Sequence, residues 1–209
     1  MRWIGLSAAL LAAGVLASGG GTFAQAQLGT QPKSQMSPTT RAAAQDKGVT
    51  SRYLRDAAQT DMLEVEAGKL AITRARSNDV KDFARRMVKD HTDSTKMLKD
   101  AVEASKTSVK LPTKLDAAHQ KMLDQLKKAS AASFDRRYMD MQVKGHKQAL
   151  ALHQGYAAKG AAGPIKDAAG KIAEVVKHHL DLAQQLASKV ATPPASSFNP
   201  TTGLPRKGA

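Results

Sequence analysis

The sequence predicts an all-α fold in which four long helices form a bundle, with an additional short helix between the second and third of them. Apolar residues recur at intervals of three and four along four long segments, which is the spacing of amphipathic helices. Gly, Pro and capping residues separate these segments. The composition, 42% hydrophobic but only 4% aromatic, suits one modest core of Ala, Leu, Val and Met.

The first two long helices are separated by a cap-rich break. The first helix is predicted from about Ser51 to Arg76, with Gln59 on its wet face, and Ser77-Asn78-Asp79 then favours a new helix N-terminus. Its apolar arc contains Leu54, Ala57, Ala58, Met62, Val65 and Ile72. The second helix follows a bundle seam through Val80, Ala84, Met87, His91, Ser94, Leu98 and Ala101.

The remaining helices follow from the same patterns. A shorter amphipathic helix is predicted after Pro112, on Leu115, Ala118, Met122 and Leu126. Ser130 or Ser133 is expected to cap the third long helix, whose inward column is Met139, Gln142, His146, Ala149 and His153. Gly160, Gly163 and Pro164 precede the last helix, whose stripe is Ala168, Ile172, Val175, His179, Leu182 and Leu186.

The connection between the second and third long helices allows two topologies. Its length of about 25 residues is enough for a crossover from one end of the bundle to the other, as in ferritin-like folds. A simple up-down bundle, with the short helix packed across one end, satisfies the same sequence pattern.

Both ends of the chain are predicted to lie outside the bundle domain, which covers residues 51–190. Residues 1–26 have a positive start, an apolar run and the small-x-small pattern Ala24-Gln25-Ala26 of a signal peptide. Residues 27–50 and 191–209 are polar and rich in Pro or Ser, so a disordered leader and a disordered tail are expected. Cleavage near Ala26 predicts a periplasmic or secreted protein without a membrane span.

Four ionisable residues lie near mid-length of the four long helices, one on each: Glu64, His91, His146 and His179. Helices of equal length packed side by side bring their midpoints together, so these side chains should converge. One carboxylate and three imidazoles form a sensible ligand set for a single ion of Zn, Fe, Mn or Cu. Asp61 and Asp90 are the next candidates, Asp90 as the group that orients the neighbouring His91.

Other interpretations of this cluster remain open. The same residues satisfy a structural network in which Glu and His hydrogen-bond to one another and to nearby polar groups, and a small-molecule pocket is a third alternative. The other histidines, His119, His153 and His178, are expected at the surface or rim. No Gly-rich phosphate loop, Ser-His-Asp arrangement or Cys is present, so no enzymatic reaction is assigned.

Several local motifs resemble the domain of unknown function 4142 family, over about Ser51 to Val190. They are Leu63-Glu64-Val65-Glu66-Ala67-Gly68-Lys69-Leu70-Ala71, Val80-Lys81-Asp82-Phe83-Ala84, Met87-Val88-Lys89-Asp90-His91-Thr92, Phe134-Asp135, Tyr138, His146 and His179-Leu180. The resemblance implies a bacterial envelope protein of ferritin-like fold with no established activity. Ferritin-like di-iron sites use Glu-x-x-His, whereas Val88 and Val176 lie three residues before His91 and His179. A single metal ion is therefore favoured over a di-iron centre.

The charge supports an alternative role. The formal net charge is +14, and removal of Arg2 with residues 1–26 leaves +13. A cationic interaction protein that contacts anionic envelope polymers fits this excess. Nucleic acid is a poor candidate, because the basic residues are spread over solvent faces without interleaved aromatic residues. The sequence does not indicate an oligomeric state.

Export is directly testable. The mature chain should begin at Gln27 and be released by osmotic shock, because the apolar run ends at the small-x-small site. Mass spectrometry of the protein from its native host gives the N-terminus. Retention of Trp3 in that protein would contradict the prediction.

Overall fold

The computed structural model describes residues 38–191, which form five α-helices and, within this range, no strand. The helices are α1 (Pro38–Arg74), α2 (Asn78–Ala104), α3 (Ala117–Lys127), α4 (Phe134–Lys159) and α5 (Pro164–Ala191). The predicted all-α class is confirmed. None of these helices is both long and apolar enough to cross a membrane. The predicted signal peptide, the cleavage site near Ala26 and nearly all of the predicted tail lie outside the described residues.

The first helix differs from the predicted one at its start. It begins at Pro38 and not at Ser51, so residues 38–50 of the expected leader are helical. Pro is tolerated in a first helical turn, and the Ala-rich stretch that follows has high helix propensity. Intrinsic propensity therefore extends the helix through a segment that lacks an apolar stripe.

The four long helices pack side by side in a ring. Helix α1 contacts α2 and α4, and helix α5 contacts the same two helices. Every neighbouring pair is antiparallel: Asp61 of α1 meets His91 of α2, while Tyr53 of α1 meets His153 of α4. Asp90 of α2 meets His179 of α5. Helices α2 and α4 are thus parallel to each other and lie on a diagonal.

The segment between α2 and α4 runs the length of the bundle. It leaves the end where α1 carries Tyr53 and reaches the end where Asp135 accepts hydrogen bonds from the backbone N–H groups of Arg76 and Ser77, at 2.8–3.2 Å. Helix α3 belongs to this segment and packs against α1 and α4. The structure therefore has the crossover and not the up-down connection.

Two side chains of α1 hold the crossover segment. The Gln59 amide donates to the Lys114 carbonyl (3.0 Å) and accepts from the Asp116 N–H (2.9 Å). Arg74 donates to the carbonyls of Lys127 and Ala129 at the other end of α3. The prediction that Gln59 faces water is wrong, because the crossover segment covers it.

Side-chain capping is seen at the starts of α2 and α3. Ser77 Oγ accepts from the Val80 N–H (3.4 Å) at the start of α2, and Asp116 accepts from the His119 N–H (2.9 Å) at the start of α3. Ser133 precedes α4 as predicted, but its hydroxyl caps no helical N–H and contacts Ser130 instead. The position of this helix start is therefore confirmed and its capping mechanism is not.

Apolar side chains form two clusters along the bundle axis. One cluster surrounds Phe83 and Phe134, and the other surrounds Leu98 and Ile172. Between them lies a layer of buried polar residues: Asp61, Glu64, His91, Gln142, His146 and His179. Burying the apolar residues stabilises the fold by roughly 25 cal/mol per Å² of apolar surface. This stabilisation offsets the cost of burying the polar layer.

The stripe on α5 is shifted by one residue from the predicted seam. Val175 is 41% exposed, whereas Val176 is 1% exposed. Helix α5 contacts both α2 and α4, so its buried arc is wider than a single seam and includes Ala173 and Val176. A seam pattern alone does not fix the centre of so wide an arc.

The close approach of α1 and α2 gives a stability test. A Cβ atom on Gly68 would lie 2.7 Å from Val88 Cγ2 and 3.1 Å from the Ala84 carbonyl oxygen. We expect Gly68→Ala to lower the free energy of unfolding by about 1–3 kcal/mol, because a rigid β-branched side chain and backbone must move. Urea unfolding gives the value.

Gly155 provides the matched control on α4, since a Cβ there meets no atom within 4 Å. Gly155→Ala should raise the free energy of unfolding by about 0.5–1 kcal/mol through helix propensity alone. Equal effects of the two substitutions would contradict the close helix contact.

His153 gives a test of pH dependence. The sequence places it on the inward column of its helix, at the surface or rim; it is 1% exposed, and its Nδ1 lies 3.0 Å from the Tyr53 hydroxyl. Burial lowers the pKa of His153 from 6.5 to about 4. The unfolded chain therefore takes up a proton first as pH falls, so stability is complete above the unfolded pKa and declines towards pH 4.

Between neutral pH and pH 4.5, we expect the free energy of unfolding of His153→Gln to fall by about 2–3 kcal/mol less than that of the wild type. Urea unfolding of both proteins at neutral pH and at pH 4.5 measures the difference. The same pH-dependent loss in the variant and the wild type would show that His153 is not held neutral by burial.

Candidate metal centre

Three histidine rings from three helices meet in the middle of the bundle. His91 of α2, His146 of α4 and His179 of α5 are each 1–2% exposed. Their ring centroids are 5.5 Å apart for His91–His146, 5.5 Å for His91–His179 and 5.4 Å for His146–His179. One nitrogen from each ring lies within 4.8 Å of one nitrogen from each other ring. The predicted convergence of these three histidines is seen.

The outer nitrogen of His91 is fixed by a carboxylate. Its Nδ1 donates to Asp61 Oδ1 at 2.8 Å, and Thr95 Oγ1 donates to the other oxygen of Asp61 at 3.3 Å. Burial disfavours the charged ring, but the hydrogen bond and the charge of Asp61 outweigh it and raise the pKa of His91. Its Nε2 has no hydrogen-bond partner among the described residues.

His179 has the same arrangement with its nitrogens exchanged. Its Nε2 donates to Asp90 Oδ2 at 3.0 Å, and its Nδ1 finds no partner in the described part of the chain. Burial lowers the pKa of His179 to about 4, although Asp90 opposes this. Burial alone would raise the pKa of Asp90, but its hydrogen bond to His179 and the nearby Lys89 lower it.

His146 uses a backbone acceptor. Its Nδ1 donates to the Gln142 carbonyl, one turn earlier in α4, at 3.0 Å. Its Nε2 is also without a partner among residues 38–191. Burial lowers the pKa of this ring, so the neutral form is favoured.

The three rings thus share one chemical pattern. Each donates its outer N–H to an acceptor, and in a neutral imidazole the other nitrogen is then an acceptor with a free lone pair. A buried polar atom without a partner costs about 1–3 kcal/mol. Three such atoms in one small region are the arrangement that a cation can satisfy.

Glu64 lies beside this group and not within it. Its Oε2 accepts from the Gln142 Nε2 at 2.6 Å, and its Oε1 is 4.0 Å from His146 Nδ1, the outer nitrogen of that ring. Gly145 leaves room for this carboxylate, since a Cβ there would lie 3.4 Å from Glu64 Oε1. Of the four residues predicted to converge, the three histidines therefore form the group and Glu64 flanks it.

The two additional carboxylates have roles that differ from those predicted. Asp61 was a candidate ligand, but it orients His91. Asp90 was expected to orient its sequence neighbour His91, yet it binds His179 across the helix interface. Adjacent residues on a helix point about 100° apart, so Asp90 and His91 face different neighbours.

Sequence reasoning placed Gln142 on the inward face of α4 but missed Thr95. Gln142 is fully buried and links Glu64 to α4, and Thr95 supports Asp61. The Tyr138 hydroxyl is buried without a partner among the described groups, and burial together with Glu64 raises its pKa well above 10.0. A polar residue one turn from a buried histidine, as Thr95 is from His91, was the available signal for Thr95.

A family model, described as domain of unknown function (DUF4142), matches residues 35–186. Comparison with curated proteins and with solved structures gives no match. The matched range includes the three histidines together with Asp61, Glu64 and Asp90. Because the match spans most of the chain, the resemblance noted in the sequence is confirmed, and this protein belongs to the domain of unknown function 4142 family.

Proposed function

We propose that this protein is an exported bacterial envelope protein that binds one transition-metal ion through His91, His146 and His179. The observation that carries the proposal is the meeting of three buried imidazoles, each with one nitrogen left without a partner in the described chain. We assign no reaction to the site.

The separation of the rings fits the proposed ion. In a tetrahedral site with metal–nitrogen bonds of about 2.0–2.1 Å, three bound rings have centroids about 5 Å apart and ligand nitrogens about 3.3 Å apart. The centroids here are 5.4–5.5 Å apart, and the ligand nitrogens lie within 4.8 Å of one another. Small ring movements therefore suffice for binding.

The groups around the rings also support a metal. Metal-bound histidines usually donate their second N–H to a carboxylate or a backbone carbonyl, which fixes the tautomer. Asp61, Asp90 and the Gln142 carbonyl supply these acceptors. In a purely structural network, the inner nitrogens would be expected to find donors within the protein as well.

The donor set favours particular metals. Three imidazoles suit Zn, Cu, Fe or Ni, whereas Mg and Ca prefer oxygen ligands. A di-iron centre needs bridging carboxylates, and Glu64 instead accepts a hydrogen bond from Gln142. One ion with an open fourth position is the composition we propose.

We also propose that the fold is ferritin-like. The antiparallel neighbours, the parallel diagonal pair α2 and α4 and the single crossover that contains α3 support this proposal. Export to the periplasm or beyond is supported by the pattern of residues 1–26.

Metal binding has a quantitative test. Calorimetry with Zn or Co should give one ion per chain, and a free concentration a hundredfold above Kd should stabilise the protein by about 2.7 kcal/mol. His146→Ala should abolish most of this gain, because it removes one of three ligands. His119→Ala is the matched control, since His119 lies in the first turn of α3 and pairs with Asp116, and it should leave binding unchanged.

Glu64→Gln tests whether Glu64 is a metal ligand or only a neighbour of the three histidines. Glu64 lies beside the outer nitrogen of His146, so this variant should still bind one ion. A melting temperature of the wild type unmoved by Zn, Co, Cu, Ni or Fe, with no metal in native preparations, would exclude the metal site. The buried polar residues would then act as a structural network that fixes helix register.

A second candidate role rests on surface charge. Lys81, Lys144 and Lys147 form no ion pair with any described residue and are free to contact anionic envelope polymers. Such binding should weaken steeply between low and physiological salt, where the screening length is about 8 Å. Retention on anionic polymer beads that does not change with salt would exclude contact through diffuse charge.

A further inference from the structure

A small cavity between α2 and α5 reaches the histidine group from the surface. Its volume is about 170 Å³, and both His91 and His179 line it. Liquid water occupies about 30 Å³ per molecule, so the cavity has room for one small organic ligand with about five heavy atoms. The third histidine, His146, does not line this cavity.

The cavity has apolar walls and one hydroxyl group. Met97, Ile172 and Val176 line its sides, and Val175, 41% exposed, lies where it meets solvent. Ser94 also lines it, is 7% exposed, and its Oγ has no partner among the described residues. A buried hydroxyl without a partner, on a residue that lines an apolar cavity, is a candidate binding group for a ligand.

We propose that this cavity holds a small, neutral, nitrogen-donor ligand that coordinates the metal at its open position and hydrogen-bonds to Ser94 Oγ. The inference rests on the proposed metal site, because the ligand binds through the ion. An imidazole-sized heterocycle matches the volume, the apolar walls and the unpartnered hydroxyl of Ser94.

The charge around the site favours a neutral ligand over an anion. Asp61 and Asp90 bind the outer nitrogens of two rings and Glu64 flanks the third ring, so three carboxylates already surround one divalent cation. Asp90 and Asp93 also line the cavity and repel an entering anion. A further negative ligand would leave the buried centre with uncompensated charge.

Visible spectroscopy of the cobalt-loaded protein tests the inference at mildly alkaline pH, where imidazole is neutral. Imidazole should change the cobalt spectrum in a saturable way, and azide should bind at least about tenfold more weakly. Ser94→Ala should lower the affinity for imidazole by about 2- to 10-fold. N-methylimidazole has no N–H to donate, so its affinity should not respond to Ser94→Ala.

The route of entry is tested with a matched pair of substitutions. Val175→Phe places a larger side chain at the opening of the cavity and should lower the affinity for imidazole by about tenfold or more. Val49→Phe is the control, because Val49 is also a large exposed apolar residue, 55% exposed, and lies on α1 outside the cavity. It should leave the imidazole titration unchanged.

The failures of the two proposals are distinguishable. If cobalt binds but imidazole leaves its spectrum unchanged, the ligand inference is overturned and the metal site stands. Tighter binding of azide than of imidazole overturns the inference that the ligand is neutral. Equal imidazole affinity in the wild type and in Val175→Phe overturns the inference that the ligand binds in this cavity. If cobalt does not bind, the metal site itself fails.

Discussion

Desolvation of three imidazole rings is the constraint around which the bundle is arranged. Each ring nitrogen without a partner costs about 1–3 kcal/mol, and His91, His146 and His179 each bring one into a single layer. Burial of the two apolar clusters on either side of the layer offsets this cost. The outer nitrogens, by contrast, are all satisfied, which fixes the direction of every ring.

The polar contacts of this layer run between helices and so fix their register. Asp61 with His91 joins α1 to α2, Asp90 with His179 joins α2 to α5, and Glu64 with Gln142 joins α1 to α4. A one-residue shift of α1, α2 or α4 would leave a buried carboxylate, Asp61 or Glu64, without its partner, at a cost of several kcal/mol. A shift of α5 would separate His179 from the half-buried Asp90. Two of these contacts, Asp61 with His91 and Asp90 with His179, also orient rings of the histidine group.

Much of the fold could be predicted because helical periodicity is local. The 4-3 seam of α2 was confirmed in full, from Val80 to Ala101, since α2 packs with a narrow buried face. The predicted buried faces of α1 and α5 were less accurate. The crossover segment covers Gln59 of α1, and Val175 of α5 faces solvent next to the buried Val176. These errors arise where a third element or a second neighbour widens the buried face.

The sequence by itself determined the all-α class, the family and the three histidines at one level, because helix period and residue type are properties of the local chain. Tertiary structure alone decided the crossover, the flanking position of Glu64 and the pairing of Asp90 with His179 and not with His91. Those outcomes depend on which helices become neighbours and how each is rotated about its axis, and no local pattern encodes that.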